Sequence, residues 1–118
     1  MTPTYVTSLE LSKKLKKAGY PQEGEFWWIA NIKSWDLPEL CYKGYLYQYQ
    51  DCNKIVAPLA SELMERLPIF TWICKHDING EYAIQNEIDL HKEYDNNLCN
   101  TLAKMYIYLV EQRLLKEK

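Results

Sequence analysis

Cys74 and His76 lie two residues apart, and their side chains could in principle supply a thiolate nucleophile and an imidazole base. Residues two apart on a predicted strand share one face, but their side chains diverge beyond hydrogen-bond reach. A zinc site would need two further ligands, and no spacing of His91, Cys99 or Glu87 supplies them. The sequence therefore predicts no catalytic residue and no metal site.

Acidic residues are the second set with possible chemistry. Glu87, Asp89 and Glu93 would be candidates for paired carboxylates, but a charged loop before a helix explains them better. Residues 77–95 carry six acids against one lysine, so mimicry of nucleic acid stays open. The chain has only four glycines, and they do not form the glycine-rich pattern of a phosphate-binding loop. We therefore expect no cofactor and no enzyme, with a small hydrolase as the weakest alternative.

Tyrosine is the most informative residue type, with ten in 118 residues. The alternation over 42–50 predicts a strand with three tyrosines on one face, about 6–7 Å apart. Nucleobases stack on such rings at about 1–3 kcal/mol each, and a lysine can bind phosphate. A covering helix or a protein partner would use the same face. The predicted ligand-binding residues are Trp28, Lys43, Tyr45, Tyr47 and Tyr49.

Three helices are predicted from local signals. Thr7 as N-cap, with Glu10 three residues later, indicates a capping box, and Gly19 suits the left-handed position that ends a helix over 8–18. A second helix begins near Pro58 and ends before Pro68. The third runs from 98 to about 116, and its apolar surface is unusually broad. That breadth predicts a symmetric dimer through Ile107, Tyr108 and Leu114.

Four strands are predicted at 25–32, 42–50, 69–78 and 81–88. Asn79-Gly80 indicates a hairpin between the last two strands. Its register would pair Trp72 with Glu87, Cys74 with Gln85, and His76 with Ala83. The fold class is therefore α+β, a single domain over 1–118 in the order α-β-β-α-β-β-α. We expect a four-stranded, mainly antiparallel sheet with three helices on one face.

Composition excludes several classes of partner. The formal net charge of −2 gives no reason to expect duplex nucleic acid. No stretch approaches the length of a membrane span, and the first residues do not resemble a secretory signal. The four cysteines have no metal-finger or redox-motif spacing, so we expect reduced thiols.

Several segments, in the same order along the chain, resemble small phage and prophage proteins of unknown function. They are 5–12, 19–27, the segment Ala57–Pro68 and the segment Leu102–Leu109, and the resemblance breaks down between about 35 and 55. It implies a phage origin and action in the host cytoplasm. We expect a counter-defence protein that sequesters a small nucleotide-derived ligand without catalysis. The alternative is an inhibitor that binds a host protein through its tyrosine-rich face.

Overall fold

The computed structural model of the chain describes residues 5–30, 35, 38–50, 52–68, 71–75 and 81–115, with the backbone alone at 71, 72, 74 and 75. The fold is α+β, as predicted. The helices are α1 (Leu9–Lys17), α2 (Ala60–Arg66) and α3 (Leu98–Glu111), and a 3-10 helix spans Lys43–Tyr49. The strands are β1 (Phe26–Ala30), β2 (Glu39–Tyr42), β3 (Asn53–Val56), β4 (Thr71–Lys75), β5 (Tyr82–Asn86) and β6 (Lys92–Asp95).

The strands form two sheets, so the prediction of one four-stranded sheet is wrong. Within the described residues, one antiparallel sheet has the order β2-β1-β3 and the other the order β4-β5-β6. From the sequence, the charged residues of the segment that forms β6 predict a loop. They are compatible with a strand because β6 lies at a sheet edge, where charged side chains protect against unwanted pairing.

The pairing of β4 with β5 differs from the predicted register by two residues. Trp72 lies opposite Gln85 and Cys74 lies opposite Ala83. A shift of two residues keeps every side chain on its predicted face, because side chains alternate with period two. The Asn79-Gly80 turn and the pair of His76 with Ala83 depend on residues outside the described part of the chain.

The predicted strand over 42–50 is also wrong, since Lys43–Tyr49 is a 3-10 helix. A 3-10 helix has three residues per turn. Residues two apart therefore point about 120° away from each other. Leu46 and Tyr49, three residues apart, are the two half-buried positions, as this period requires. The common face expected for the three tyrosines does not form.

Both ends of α1 follow local signals, with one correction. The N-cap is Ser8, whose Oγ accepts a hydrogen bond from the Leu11 N–H at 3.4 Å. Thr7 is instead buried, and its hydroxyl donates to the Pro58 carbonyl at 3.0 Å. At the other end, Gly19 has φ 96°, and the Tyr20 N–H bonds to the Leu15 carbonyl at 2.9 Å. This is the predicted Schellman end.

The beginnings of the other helices are tied to distant segments. The Glu62 carboxylate accepts hydrogen bonds from the Leu59 N–H at the start of α2 and from the Glu25 N–H before β1. Asn97 caps α3, and its side-chain amide donates to the Val6 carbonyl at 3.3 Å. These contacts hold the helix N-termini against the first sheet and the segment before α1.

One core cluster joins both sheets to all three helices. It combines Val56 of the first sheet, Ile84 of the second, and Leu15, Leu63 and Leu102 of the helices. A smaller cluster around Val6, Trp28 and Ala57 lies beside β1. Among the described residues, no helix is long and apolar enough to cross a membrane.

Candidate functional site: an exposed aromatic row

Four aromatic rings contact one another in sequence along the surface beside the first sheet. Tyr5 packs against Phe26 at 5.5 Å between ring centroids, Phe26 against Tyr42 at 5.8 Å, and Tyr42 against Tyr45 at 6.5 Å. All three contacts are edge-to-face, with interplanar angles of 64–69°. Such contacts stabilise aromatic pairs beyond simple burial. We call these four residues the aromatic row.

Sheet pairing and a glycine position the row. Phe26 lies directly opposite Tyr42 in the pairing of β1 with β2, which brings the two rings together. A Cβ on Gly44 would lie 3.1 Å from Cε2 of Tyr42, so the absence of a side chain leaves room for that ring. The 3-10 helix then begins at Lys43 and carries Tyr45 back toward Tyr42.

The row is left open to solvent although it is apolar. Tyr5 is 53% exposed, Tyr42 is 43% exposed and Tyr45 is 58% exposed. Contiguous aromatic surface of this kind marks interaction sites more often than isolated exposed residues do. Tyr and Trp also supply large contact area at a small cost in side-chain entropy.

The charge beside the row is balanced. Lys43 Nζ lies 3.2 Å from Oε1 of Glu25, and the backbone N–H of Lys43 donates to the Glu25 carbonyl at 2.7 Å. Hydrogen bonding to Glu25 raises the pKa of Lys43, so the ammonium stays charged and paired. A phosphate bound here would have to compete with the Glu25 carboxylate.

The structure separates the five residues predicted to bind a ligand. Trp28 is 7% exposed, and its ring N–H donates to the Thr7 carbonyl at 2.9 Å. Tyr45 belongs to the aromatic row, and Lys43 lies beside it in sequence. Tyr47 is exposed and accepts a hydrogen bond from the Gln48 side chain, whereas Tyr49 is half-buried.

Three members of the row, Tyr5, Phe26 and Tyr42, are absent from the predicted set. The sequence feature that could reveal Phe26 and Tyr42 is their cross-strand pairing, because two aromatic residues opposite each other are a favoured arrangement. Finding it requires β2 at 39–42, and the alternation of the following tyrosines points to a later strand. Tyr5 contacts the row across a gap of 21 residues from Phe26, a contact that no local pattern indicates.

Two of the described thiols, those of Cys41 and Cys99, are not poised for nucleophilic chemistry. Cys41 and Cys99 are buried, and Cys52 is half-buried. Burial raises the pKa of the Cys99 thiol to about 11 and also raises that of Cys41. Nucleophilic attack requires the thiolate. Within the described residues no three His, Cys, Asp or Glu side chains are grouped to hold a metal ion.

A second group of titratable side chains lies between β5, β6 and α3. The rings of His91 and Tyr108 are stacked, with centroids 3.5 Å apart, and His91 Nε2 lies 2.5 Å from the Glu93 carboxylate. The Tyr108 hydroxyl donates to Asp89, which lowers the pKa of Asp89 and raises that of Tyr108. At neutral pH Asp89 is therefore ionised and Tyr108 is protonated.

Buried Asn86 holds the turn that carries Asp89. Its side-chain oxygen accepts hydrogen bonds from the Ile88 and Asp89 N–H groups at 2.9 and 3.0 Å. The stacked pair and the carboxylates are thus fixed by the fold, and two of these residues, Tyr108 and Glu93, line a groove beside α1. Comparisons with protein-family models, with curated proteins and with solved structures find no match for this chain.

Proposed function

We propose that this chain is a non-enzymatic binding protein whose aromatic row contacts a protein partner. The observation that carries the proposal is the run of edge-to-face contacts among four rings, three of which, those of Tyr5, Tyr42 and Tyr45, stay exposed. In protein interfaces a few residues provide most of the binding energy, and tyrosine is enriched among them. Following the resemblance to phage proteins, the partner would be a bacterial host protein, and the result would be counter-defence.

Binding of a nucleotide-derived ligand by the same segment is the less favoured alternative. Its ring contacts are edge-to-face rather than parallel, and Trp28 is buried away from solvent. Lys43, the nearest predicted phosphate ligand, is paired with Glu25. A protein partner needs neither a parallel slot nor a free cation, so the exposed row suits it better.

The experiment compares proteins retained from a bacterial lysate by the immobilised wild type and by the double variant Tyr42→Ser, Tyr45→Ser. If the row is the interface, the double substitution should weaken binding of a retained protein about tenfold or more. Tyr94→Ser is the matched control, because Tyr94 is also an exposed tyrosine but lies on β6. Equal retention by all three proteins would contradict the proposal.

Calorimetry with mono-, di- and cyclic nucleotides tests the alternative. Heat from one of these nucleotides that disappears in the Tyr42→Ser, Tyr45→Ser variant would favour the nucleotide interpretation. Absence of any nucleotide heat that depends on Tyr42 and Tyr45, together with partner loss in that variant, would favour the protein interface.

A further inference from the structure

A groove separate from the aromatic row runs between α1 and α3 and reaches β6. Its volume of about 660 Å³ lies within the range of small-molecule sites. Leu11 of α1 and Ile107 and Val110 of α3 supply its apolar lining. A groove of this size with an apolar lining has room for one side of a ligand the size of a nucleotide.

Cations line the α1 side of the groove. Lys14 and Lys17 are one turn apart on α1, so their side chains leave the same side of the helix. Both are exposed, and neither ammonium has an ion-pair or hydrogen-bond partner among the described residues. Lys104 also lines the groove, but its Nζ is held by Asp95 at 2.9 Å and by the Tyr94 carbonyl at 2.8 Å. Within the described part of the chain, Lys14 and Lys17 are therefore the groove cations left to bind an anion.

The α3 side offers a fixed aromatic ring. Tyr108 lines the groove, one face of its ring is stacked on His91, and its hydroxyl is held by Asp89. A ring held in this way loses little entropy when a flat group stacks on it. Glu93, also in the lining, can accept hydrogen bonds from amino or hydroxyl groups of a ligand.

We propose that this groove binds a small organic phosphate that carries a flat ring. The phosphate would lie between Lys14 and Lys17, and the ring would lie against Tyr108 and the apolar lining. Lys14 and Lys17 supply the charge complementarity, while Glu93 and Glu111 disfavour a ligand that is anionic along its whole length. This site would act independently of a protein bound to the aromatic row.

The test uses adenosine monophosphate as the probe, with adenosine and inorganic phosphate as its two halves. Amide chemical shifts should change for Leu11, Lys14, Ala18 and Ile107 as the probe is added. Adenosine and phosphate should each bind about tenfold more weakly than the intact probe, because each keeps only one of the two contacts.

Substitutions on one helix provide matched variants. Lys14→Gln and Lys17→Gln should each weaken binding of adenosine monophosphate about fivefold. Lys16→Gln should leave it within about twofold, because Lys16 is an exposed lysine of α1 outside the groove lining. All three residues are exposed, so loss of the fold does not complicate the comparison.

Three results would overturn the proposal. The first is no shift in the groove at about 5 mM probe, a concentration that detects even weak binding. The second is equal binding by the Lys14→Gln, Lys17→Gln and wild-type proteins. The third is a response confined to residues 42–49, which would assign the nucleotide to the tyrosine segment and leave the groove without a role. None of these results depends on whether the aromatic row binds a protein.

Discussion

Arg113 holds the end of α3 in a conformation that favours glycine. Its φ is 58°, and the N–H groups of Arg113 and Leu114 bond back to the Val110 and Leu109 carbonyls at 3.0 and 2.8 Å. This is the same Schellman end that Gly19 makes for α1. It explains why α3 ends at Glu111, five residues before the predicted end.

Replacing Arg113 with glycine should therefore stabilise the protein. Arginine in the left-handed region costs about 1–2 kcal/mol, and glycine avoids most of this cost. Glycine also gives the unfolded chain more conformational entropy, which offsets part of this stabilisation. We therefore expect the free energy of unfolding, measured in urea, to rise by about 0.5–1 kcal/mol. Arg113→Ala is the control, since alanine removes the same side chain but keeps the strain. Equal gains from both variants would mean that the side chain, and not the backbone, is responsible.

Tyr20 should make stability depend on alkaline pH. Burial raises its pKa to about 12 even though the Arg66 guanidinium lies over the ring at 5.2 Å and opposes that shift. Its pKa is thus higher in the folded state than in the unfolded state. The stabilisation is complete below pH 10 and is lost as pH rises from 10 toward 12, by about 1–3 kcal/mol. Urea unfolding of Tyr20→Phe across this range should show a flatter dependence, and an unchanged slope would count against the assignment.

At the scale of elements, two glycines distinguish a packed junction from an open surface. A Cβ on Gly24 would lie 2.8 Å from Cγ2 of fully buried Val56 and 3.0 Å from the Glu62 carboxylate. Gly24→Ala should therefore cost about 1–3 kcal/mol of unfolding free energy. Gly44→Ala should cost less than about 1 kcal/mol, because the ring of Tyr42 is exposed and can move. Similar losses from both variants in thermal unfolding would show that one environment is misassigned.

Gly44→Ala also tests the row without removing a ring. Moving Tyr42 alters its contact with Tyr45, so partner binding should weaken while stability is nearly kept. This outcome would separate the geometry of the row from its composition.

Elements with strong local signals are the ones the sequence predicts well. Gly19 adopts the left-handed conformation that ends α1, Pro58 and Pro68 bracket α2, and Asn97 caps α3, so each boundary carries a signal in neighbouring residues, to which distant contacts are added. The segment 42–50 lacks such a signal. Its alternating tyrosines satisfy a strand pattern, but β1 is already paired on both edges by β2 and β3. The choice between strand and 3-10 helix is therefore made by distant pairing.

The candidate sites depend even more on long-range contacts. Tyr45 is in the aromatic row as predicted, but Tyr5 and Phe26 join it only through the fold. Likewise, the sequence alone favours a solvated surface over a ligand site for the lysine-rich side of α1. Only the position of α3 shows that Lys14 and Lys17 line a groove whereas Lys16 does not.

At the scale of the whole molecule, the shared core predicts a single unfolding transition. Val56 and Ile84 belong to different sheets but to one cluster that includes Leu102 of α3. Leu102→Ala should cost about 2–5 kcal/mol, since Leu102 is completely buried. For each protein, circular dichroism and tryptophan fluorescence should give the same unfolding midpoint, although the midpoint of the variant is lower than that of the wild type. Separate midpoints would mean that the surroundings of the tryptophans and the rest of the secondary structure do not unfold together.

The prediction of a dimer depends on how much of the apolar surface of α3 is covered within one chain. Its broad apolar surface motivates the dimer prediction, but α3 contacts α1, α2, β5 and β6 within one chain. Leu114 also packs on the main core, and Ile107 and Tyr108 are half-buried beside the groove. Much of the apolar surface of α3 is therefore covered within one chain. We now expect light scattering at tens of micromolar to give the mass of one chain, 14.1 kDa. Twice that mass would support the predicted dimer. The mass of the Tyr42→Ser, Tyr45→Ser variant would then show whether the aromatic row or α3 forms the dimer interface.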